Sequence, residues 1–535
     1  MKALWAIATP ILSAAALAAG PTQAELDASV GDSANWLYVD HDYHGTRYSG
    51  LGEINTGNVK RLSRVCTYTF PEKEPSQTAP LVYAGVLYAT TAHYTVALDS
   101  ASCRVLWEYQ WHPRDREVVV TQRGAALKEG RVVRGTADGF LIALDAQTGK
   151  EIWVRQIADP AAGYFFSVAP LIVDDLVLIG PAGSEWAAKG WVGAFKLSNG
   201  ERVWKFNTVP DLGEAAAETW GHNAAGLRTG GGSVWTPMSY DSVEKLLYVP
   251  VGNPAPDFYD QDRPGANLFT GSVVALNVQT GTLAWHYQAA PHDQRDYDLT
   301  HVSPLFEPAI AGRSRKVMAV TGKDGLLRLL DRETQELIYS VPFTTRLNSE
   351  GLIGKDFVHI CPGTVGGHEW NGSAYHPPLN ALFVPATDWC GDVRVSAGRP
   401  KIEEDNTKGP FYFGGDGKVG AWTDASGWLT AFDASTGKER WKYHARKPMI
   451  GGVLATAGNL VFTGELDGTF EAFDAQSGKI LFRSNVGGPI GGGIISYSAT
   501  GKQHVAVVSG FVGLYNQVAP DLGGSNPTIS IFALR

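Results

Sequence analysis

The chain has 535 residues, with 45 Lys+Arg against 54 Asp+Glu and a formal net charge of −9. With 44% hydrophobic and only 19% charged residues it can bury a large core, which excludes an intrinsically disordered protein. No block of Lys or Arg occurs, which argues against nucleic acid or an anionic membrane surface as a partner.

In chain order, the first feature is a targeting segment. Lys2 gives a positive start, Ala3 to Ala19 is mostly apolar, and Thr22-Gln23-Ala24 offers a small-residue cleavage site before Glu25. Residues 1–24 therefore read as a secretory signal peptide, too short and too interrupted (Pro10, Ser13) for a membrane span, and no later stretch is apolar enough to be one. The four cysteines, Cys66, Cys103, Cys361 and Cys390, are even in number, as suits an oxidising compartment. They allow three pairings, of which Cys66–Cys103 with Cys361–Cys390 is the most local. There is no C-x-x-C-H for a covalently attached c-type haem and no C-x-x-C for a thiolate zinc site.

Seven copies of one pattern follow: VALDSASCRVLW to Trp107, IALDAQTGKEIW to Trp153, GAFKLSNGERVW to Trp204, VALNVQTGTLAW to Trp285, RLLDRETQELIY to Tyr339, TAFDASTGKERW to Trp441 and EAFDAQSGKILF to Phe482. The aromatic always falls eight residues after the Asp position, which Lys196 and Asn277 fill in two copies. Each copy reads as a hairpin. A short apolar strand ends at Asp, Ser/Thr-Gly supplies the turn, and a second strand ends on a large aromatic that can pack between sheets. The intervals of 46, 51, 81, 54, 102 and 41 residues suggest propeller blades, the two long ones each being a blade with an insertion. The C-terminal ISIFALR has only the first half of the repeat, and residues 62–70, LSRVCTYTF, have the look of the missing strand. The expected fold is thus all-β: an eight-bladed β-propeller formed as one domain by residues 25–535, its last blade closed by strands from both termini, which removes open edges.

Hard oxygen donors recur on the loops of successive blades. Glu185 lies in PAGSEW, Asn253 follows LYVPVG, and Asp296 and Asp298 sit in HDQRDYDLT. Loops at one end of a propeller converge on its axis, so these four can form a metal site although they are distant in sequence.

The eight-bladed DA-x-TG-K-x-x-W pattern, together with the opening NWLYVDHDYHGTRYSGLGEINTGNVKRL, resembles the quinoprotein alcohol dehydrogenases, which bind pyrroloquinoline quinone (PQQ). The resemblance runs from about residue 33 to the C-terminus. It implies a periplasmic enzyme that oxidises an alcohol by hydride transfer to metal-activated PQQ and passes electrons to a soluble cytochrome c. Glu185, Asn253 and Asp296 would hold the metal, Asp296 would also be the general base, and Lys323 would bond the quinone oxygens. Asp298 completes a D-Y-D pattern that lanthanide-using members carry, and a further carboxylate favours a trivalent ion; lanthanum or cerium is therefore expected, with Ca²⁺ as the alternative. The cofactor contacts implied are Gln77, Arg123, Ser167, Gly183, Ser184, Ser233, Trp235, Lys323 and Glu369, with Trp235 as the floor under the quinone ring.

The pattern also departs from that family. Glu117-Val118 stands where two adjacent cysteines usually cover PQQ, Gln77 replaces an acid, Glu369 replaces an Asn or Asp, and Phe511 replaces a Trp near the substrate cavity. An atypical member with an altered, wider substrate pocket is expected. Cys361 and Cys390 match the family's longer disulfide. The competing expectations are a non-enzymatic periplasmic propeller, acting as scaffold or binding protein, and a hydrolase using the axial carboxylates.

Overall fold

A computed structural model describes residues 20–221, 224–405 and 409–535. Most of the expected signal peptide lies outside the described residues. Its final residues are described: Thr22 caps a short helix, Gln23–Asp27, through a capping box with Glu25, and Leu26 of that helix is buried.

The described residues form an all-β propeller-type fold. Eight sheets of four or five strands follow one another along the chain. Seven are built from strands within residues 81–110, 126–156, 171–207, 239–288, 299–342, 374–445 and 454–485, the last joined by Tyr48–Ser49, which pairs in parallel with Leu454–Thr456. The eighth is split: Leu62–Thr69 pairs antiparallel with Thr528–Leu534, which continues into Lys502–Ser509 and Ile494–Ala499. The two ends of the chain thus share one sheet, in which Thr528–Leu534 is paired on both sides and Leu62–Thr69 forms the outer strand.

Burial follows strand position. In the first sheet, Val86–Thr90 is buried throughout and Tyr94–Asp99 nearly so, whereas in the outermost strand, Val105–Gln110, Trp107 is the buried residue. The repeated Asp closes the turn, as in Asp99, whose Oδ1 accepts from the backbone amides of Ala101 and Ser102 and from the Ser102 hydroxyl. The aromatic then reaches the next sheet. Trp107 Nε1 donates to the Ala146 carbonyl at 2.9 Å, Trp153 to Leu197, Trp204 to Val278 and Trp441 to Ala475 at 3.0 Å each, and the Tyr339 hydroxyl to Ala434 at 3.0 Å. In each case the acceptor is the residue after the Asp position of the following hairpin. The turn glycine of that hairpin lies beneath the same ring. A Cβ on Gly149 (φ +70°) would stand 2.6 Å from Trp107, and one on Gly281 2.5 Å from Trp204. Phe482 has no donor and packs its ring against Phe532 of the split sheet, centroids 6.4 Å apart.

The long intervals are insertions within sheets. Residues 389–425 leave the sixth sheet between Ala381–Asp388 and Ser426–Asp433 and carry smaller ladders of their own. The disulfides are Cys66–Cys103 and Cys361–Cys390. The first joins the N-terminal strand of the split sheet to the hairpin turn of the first sheet, so it tethers the chain at the point of closure. It spans 37 residues. Replacing both Cys66 and Cys103 by Ser should cost about 4 kcal/mol by the loop-entropy relation, read as a lower denaturation midpoint than wild type under oxidising conditions.

Candidate active site

The loops of the second to sixth sheets bring the chemistry together. Lys323, between Val317–Gly322 and Leu326–Asp331, sets its ammonium 3.0 Å from Asp296 and 2.9 Å from Asp298. The second oxygen of Asp298 accepts from the Asn253 amide at 2.9 Å. Gly252 makes that approach possible, because a Cβ there would run into the Asp298 carboxylate and come within 3.0 Å of the Ser233 hydroxyl. Carboxylate oxygens of Glu185, Asp257 and Asp296 lie within 4.8 Å of one another. Asn253 Oδ1, Asp296 Oδ1 and both oxygens of Asp257 are buried with no hydrogen-bond partner.

Such groups are costly to bury unpaired, and their acidities show it. Burial raises Glu185 to about 7, with the Asp298 charge adding to it. Burial also lifts Asp257 well above the usual carboxylate range, reinforced by Glu185, Asp296 and Asp298. It raises Asp296 likewise, against the pull of Lys323 and with the push of Asp298 and Glu185. Burial works against the charge of Lys323, but Asp296, Asp298 and Glu369 outweigh it and hold its pKa well above the ordinary lysine value.

The expected metal residues therefore gather in one place, with a difference in roles. Glu185, in the short helical turn Ser184–Trp186, and Asp296, held at φ +60°, face one another. Asn253 turns an unpartnered oxygen into the buried interior. Asp298 gives its oxygens to Lys323 and the Asn253 amide, and Asp257 brings a further carboxylate up to Glu185 and Asp296. The sequence reading missed Asp257. Its signal was the motif GNPAPD, four residues beyond Asn253.

The expected cofactor residues adjoin this cluster. Arg123 donates to the Ser167 hydroxyl at 2.6 Å and to the Trp235 carbonyl at 3.4 Å. Its guanidinium lies 4.7 Å from the Trp235 ring centroid and 5.1 Å from that of Trp370, and Lys323 Nζ is 5.7 Å from Trp235. Burial lowers the Arg123 pKa to about 9 although Glu369 and Asp298 oppose it. Ser184 Oγ donates to Ser233 Oγ at 3.0 Å, and Gly183 precedes them at φ +124°. Gln77 stands apart from the carboxylates. Its amide donates to the Val512 carbonyl at 3.2 Å, and its oxygen is buried without a partner. Glu369 likewise has one buried unpartnered oxygen, and burial raises its pKa against Lys323 and the Tyr515 hydroxyl. Below it, His301 donates to the Glu369 carbonyl at 2.7 Å, and burial drives its pKa far below the ordinary histidine value. Trp370 and Tyr515, ring centroids 5.7 Å apart, are further walls that the sequence reading did not name.

A β-propeller in which a polar, multiply charged cluster sits against an indole face is the class these observations define. Comparisons with known proteins give the family. The profile described as "Glucose/ethanol/alcohol dehydrogenase, beta-propeller domain" matches residues 36–350, and one described as "Outer membrane protein assembly factor BamB" matches 395–510. The chain is 34% identical to the dehydrogenase subunit of the quinone alcohol dehydrogenase of Acetobacter aceti, over 95% of this chain and 77% of that protein. It is 32% identical to the quinoprotein alcohol dehydrogenase PedH of Pseudomonas putida, over 88% and 85% of the two chains. Among solved structures, quinohemoprotein alcohol dehydrogenase ADHIIG of Pseudomonas putida HK5 matches with TM-score 0.91 at 28% identity, covering 97% of this chain and 83% of that one. A europium-containing methanol dehydrogenase matches with TM-score 0.87 at 27% identity, covering 96% and 100%. The chain belongs to the PQQ-dependent alcohol dehydrogenase family and is an alcohol oxidoreductase. The non-enzymatic and hydrolytic expectations fall away.

Glu117-Val118 stands where the family's adjacent cysteines were expected, and the two residues do different things. Val118 is buried with Phe165 and Ala182, beside Val119, Trp186 and Trp235. Glu117 accepts from His93 Nε2 at 2.7 Å, while the other ring nitrogen of His93 bonds Glu74. The hydrogen bonds that His93 donates to Glu117 and Glu74 raise its pKa to about 10. A protonated imidazolium thus joins the segment carrying Glu117 to the Glu74 loop. Because the folded-state pKa is raised, this contribution to stability is complete below the unfolded value of ~6.5 and is lost as pH climbs through about 10. His93→Gln should therefore unfold at lower urea than wild type at pH 7, and the gap should narrow progressively towards pH 10.5. A gap that stays constant over that range would dissociate His93 from the effect.

Proposed function

We propose that this chain is a periplasmic PQQ-dependent alcohol dehydrogenase with a single bound hard cation, delivered by cleavage of its N-terminal signal peptide and re-oxidised by a soluble cytochrome c. In this reading residues 25–535 form one domain, the eight sheets are the blades of one ring, and the repeated aromatic hairpins are its W-type motifs. The observation that carries the proposal is the Lys323 ammonium set between Asp296 and Asp298, 5.7 Å from the Trp235 ring, beside buried oxygens that have no partner in the protein. Buried unpartnered carboxylates and an amide oxygen fit a hard cation, and the neighbouring cations Arg123 and Lys323 fit a polyanionic planar cofactor lying on indole.

PQQ and its metal would supply the two-electron acceptor and the Lewis acid, as the cofactor chemistry of the family requires. The chain supplies the rest. Trp235 provides the flat floor, while Arg123, Ser167, Ser184, Ser233, Gln77 and Glu369 offer polar contacts around the edge. Glu185, Asn253 and Asp296 would hold the metal, either a lanthanide or Ca²⁺. The free oxygen of Asp296 is placed to take the hydroxyl proton of an alcohol, and Lys323 steadies negative charge that develops on oxygen nearby. Val118, in place of a disulfide, leaves an apolar cover. With Phe511 it supports a substrate larger than methanol, such as a polyol, sugar or longer alcohol.

Reconstitution of the purified protein with PQQ plus La³⁺ or Ca²⁺ should give bound-quinone absorbance and alcohol-dependent dye reduction. Asp296→Asn should keep PQQ bound while turnover falls on the order of 10³-fold. Full turnover in that variant would remove Asp296 from the role of base.

A further inference from the structure

We propose that Asp257 is a fourth protein carboxylate of the metal cradle, and that it adapts the site to a trivalent cation over a divalent one. The inference rests on the cradle holding a metal, as proposed above.

Asp257 lies in the irregular segment after Asn253 and is fully buried. Neither of its oxygens has a hydrogen-bond partner among the described residues. Arg263, the cation on that side, spends its donors elsewhere: on the backbone carbonyls of Pro256, Asp257 and Asp293 and on Asn267. The Asp257 carboxylate instead faces Glu185 and Asp296, with one oxygen from each of the three within 4.8 Å of the others. Oxygens that close can share one ion with metal–oxygen bonds of about 2.4 Å. By contrast, both oxygens of Asp298 are engaged, one by Lys323 and the other by the Asn253 amide. Asp257 therefore converges with Glu185 and Asp296 and joins Asp298, which faces Lys323 and supports Asn253, as the fourth carboxylate of the cluster.

The charge count favours a trivalent ion. Glu185, Asp257, Asp296 and Asp298 share the cluster with one ammonium, Lys323, so three negative charges remain, and Glu369 and Arg123 beyond them offset each other. A divalent ion would leave one buried charge unmatched, at the cost that burying an unpaired ion carries. A trivalent ion would leave none.

The test uses the full-length, PQQ-free protein and Tb³⁺ as the probe, with emission sensitised by excitation of the tryptophans and Ca²⁺ added as competitor. Asp257→Asn should weaken Tb³⁺ binding on the order of 100-fold and Ca²⁺ binding by roughly a tenth of that factor, whereas Asp257→Glu should stay within a few-fold of wild type. Without metal, Asp257→Asn should melt no lower than wild type, because a buried carboxyl with no partner has been replaced by a neutral amide of the same shape, and it should lose most of the Tb³⁺-induced rise in melting temperature. If Asp257→Asn does not fold, Asp257→Ser serves as the second neutral variant. Weaker Tb³⁺ binding in Asp296→Asn with unchanged binding in the neutral Asp257 variants would overturn the role of Asp257 and leave the metal site standing. Equal losses for Tb³⁺ and Ca²⁺ would overturn the trivalent preference. No Tb³⁺ binding by wild type, or binding indifferent to both Asp296→Asn and Glu185→Gln, would overturn the metal site itself.

Discussion

Between neighbouring sheets the recurring link is an aromatic side chain at the end of one hairpin, hydrogen-bonded to a backbone carbonyl at the turn of the next and seated on that turn's glycine. The contact is apolar over its face and polar at one atom, so it fixes both the spacing and the rotation of adjacent sheets. Everything at the centre depends on that spacing. Arg123, Ser167, Glu185, Trp235, Asn253, Asp296 and Lys323 come from loops on four successive sheets, and a close-packed interior transmits any change of angle to all of them. Pairing of Leu62–Thr69 with Thr528–Leu534, with the Cys66–Cys103 link beside it, ties the two chain ends into one sheet.

The centre is electrostatically unbalanced by its own residues. Carboxylates are buried together with one lysine among them, and several of their oxygens have no donor in the protein. That arrangement costs folding free energy and is tolerable only because a large, well-packed scaffold supports it. It also creates the conditions for chemistry: charged groups held beside a flat indole in a medium where they act strongly. A cation and an acidic planar cofactor match the two halves of the pattern, the cation the carboxylates and the cofactor the pair Arg123 and Lys323.

The rim of the site differs from what the family pattern led one to expect. Val118 gives an apolar cover near Trp235, and its neighbour Glu117 is tied back to His93. On the other side the insertion of the sixth sheet folds over the Glu185 turn: the Tyr412 amide donates to the Glu185 carbonyl at 2.7 Å, and the Phe411 ring meets Trp186 at 6.0 Å. The insertion thus fixes the backbone of Glu185, one of the three converging carboxylates.

The strands, the hairpins and the pairing of the two chain ends were legible in the amino-acid order, because each depends on local periodicity: apolar alternation, an Asp at the strand end, a turn glycine and an aromatic eight residues on. Glu185, Asn253, Asp296, Lys323 and Trp235 were legible as motifs at loop positions. What no pattern revealed was direction. Asp257 reads as an ordinary acid in a proline-rich turn, and only the path of that turn buries it against Glu185 and Asp296. Asp298 reads as a ligand, and only the tertiary structure sets one of its oxygens against Lys323 and the other on the Asn253 amide. Glu117 meets His93 and Glu74 only because a different sheet delivers them. On irregular loops side-chain direction has no period, so it is decided by the packing of the whole ring and not by the neighbours in sequence.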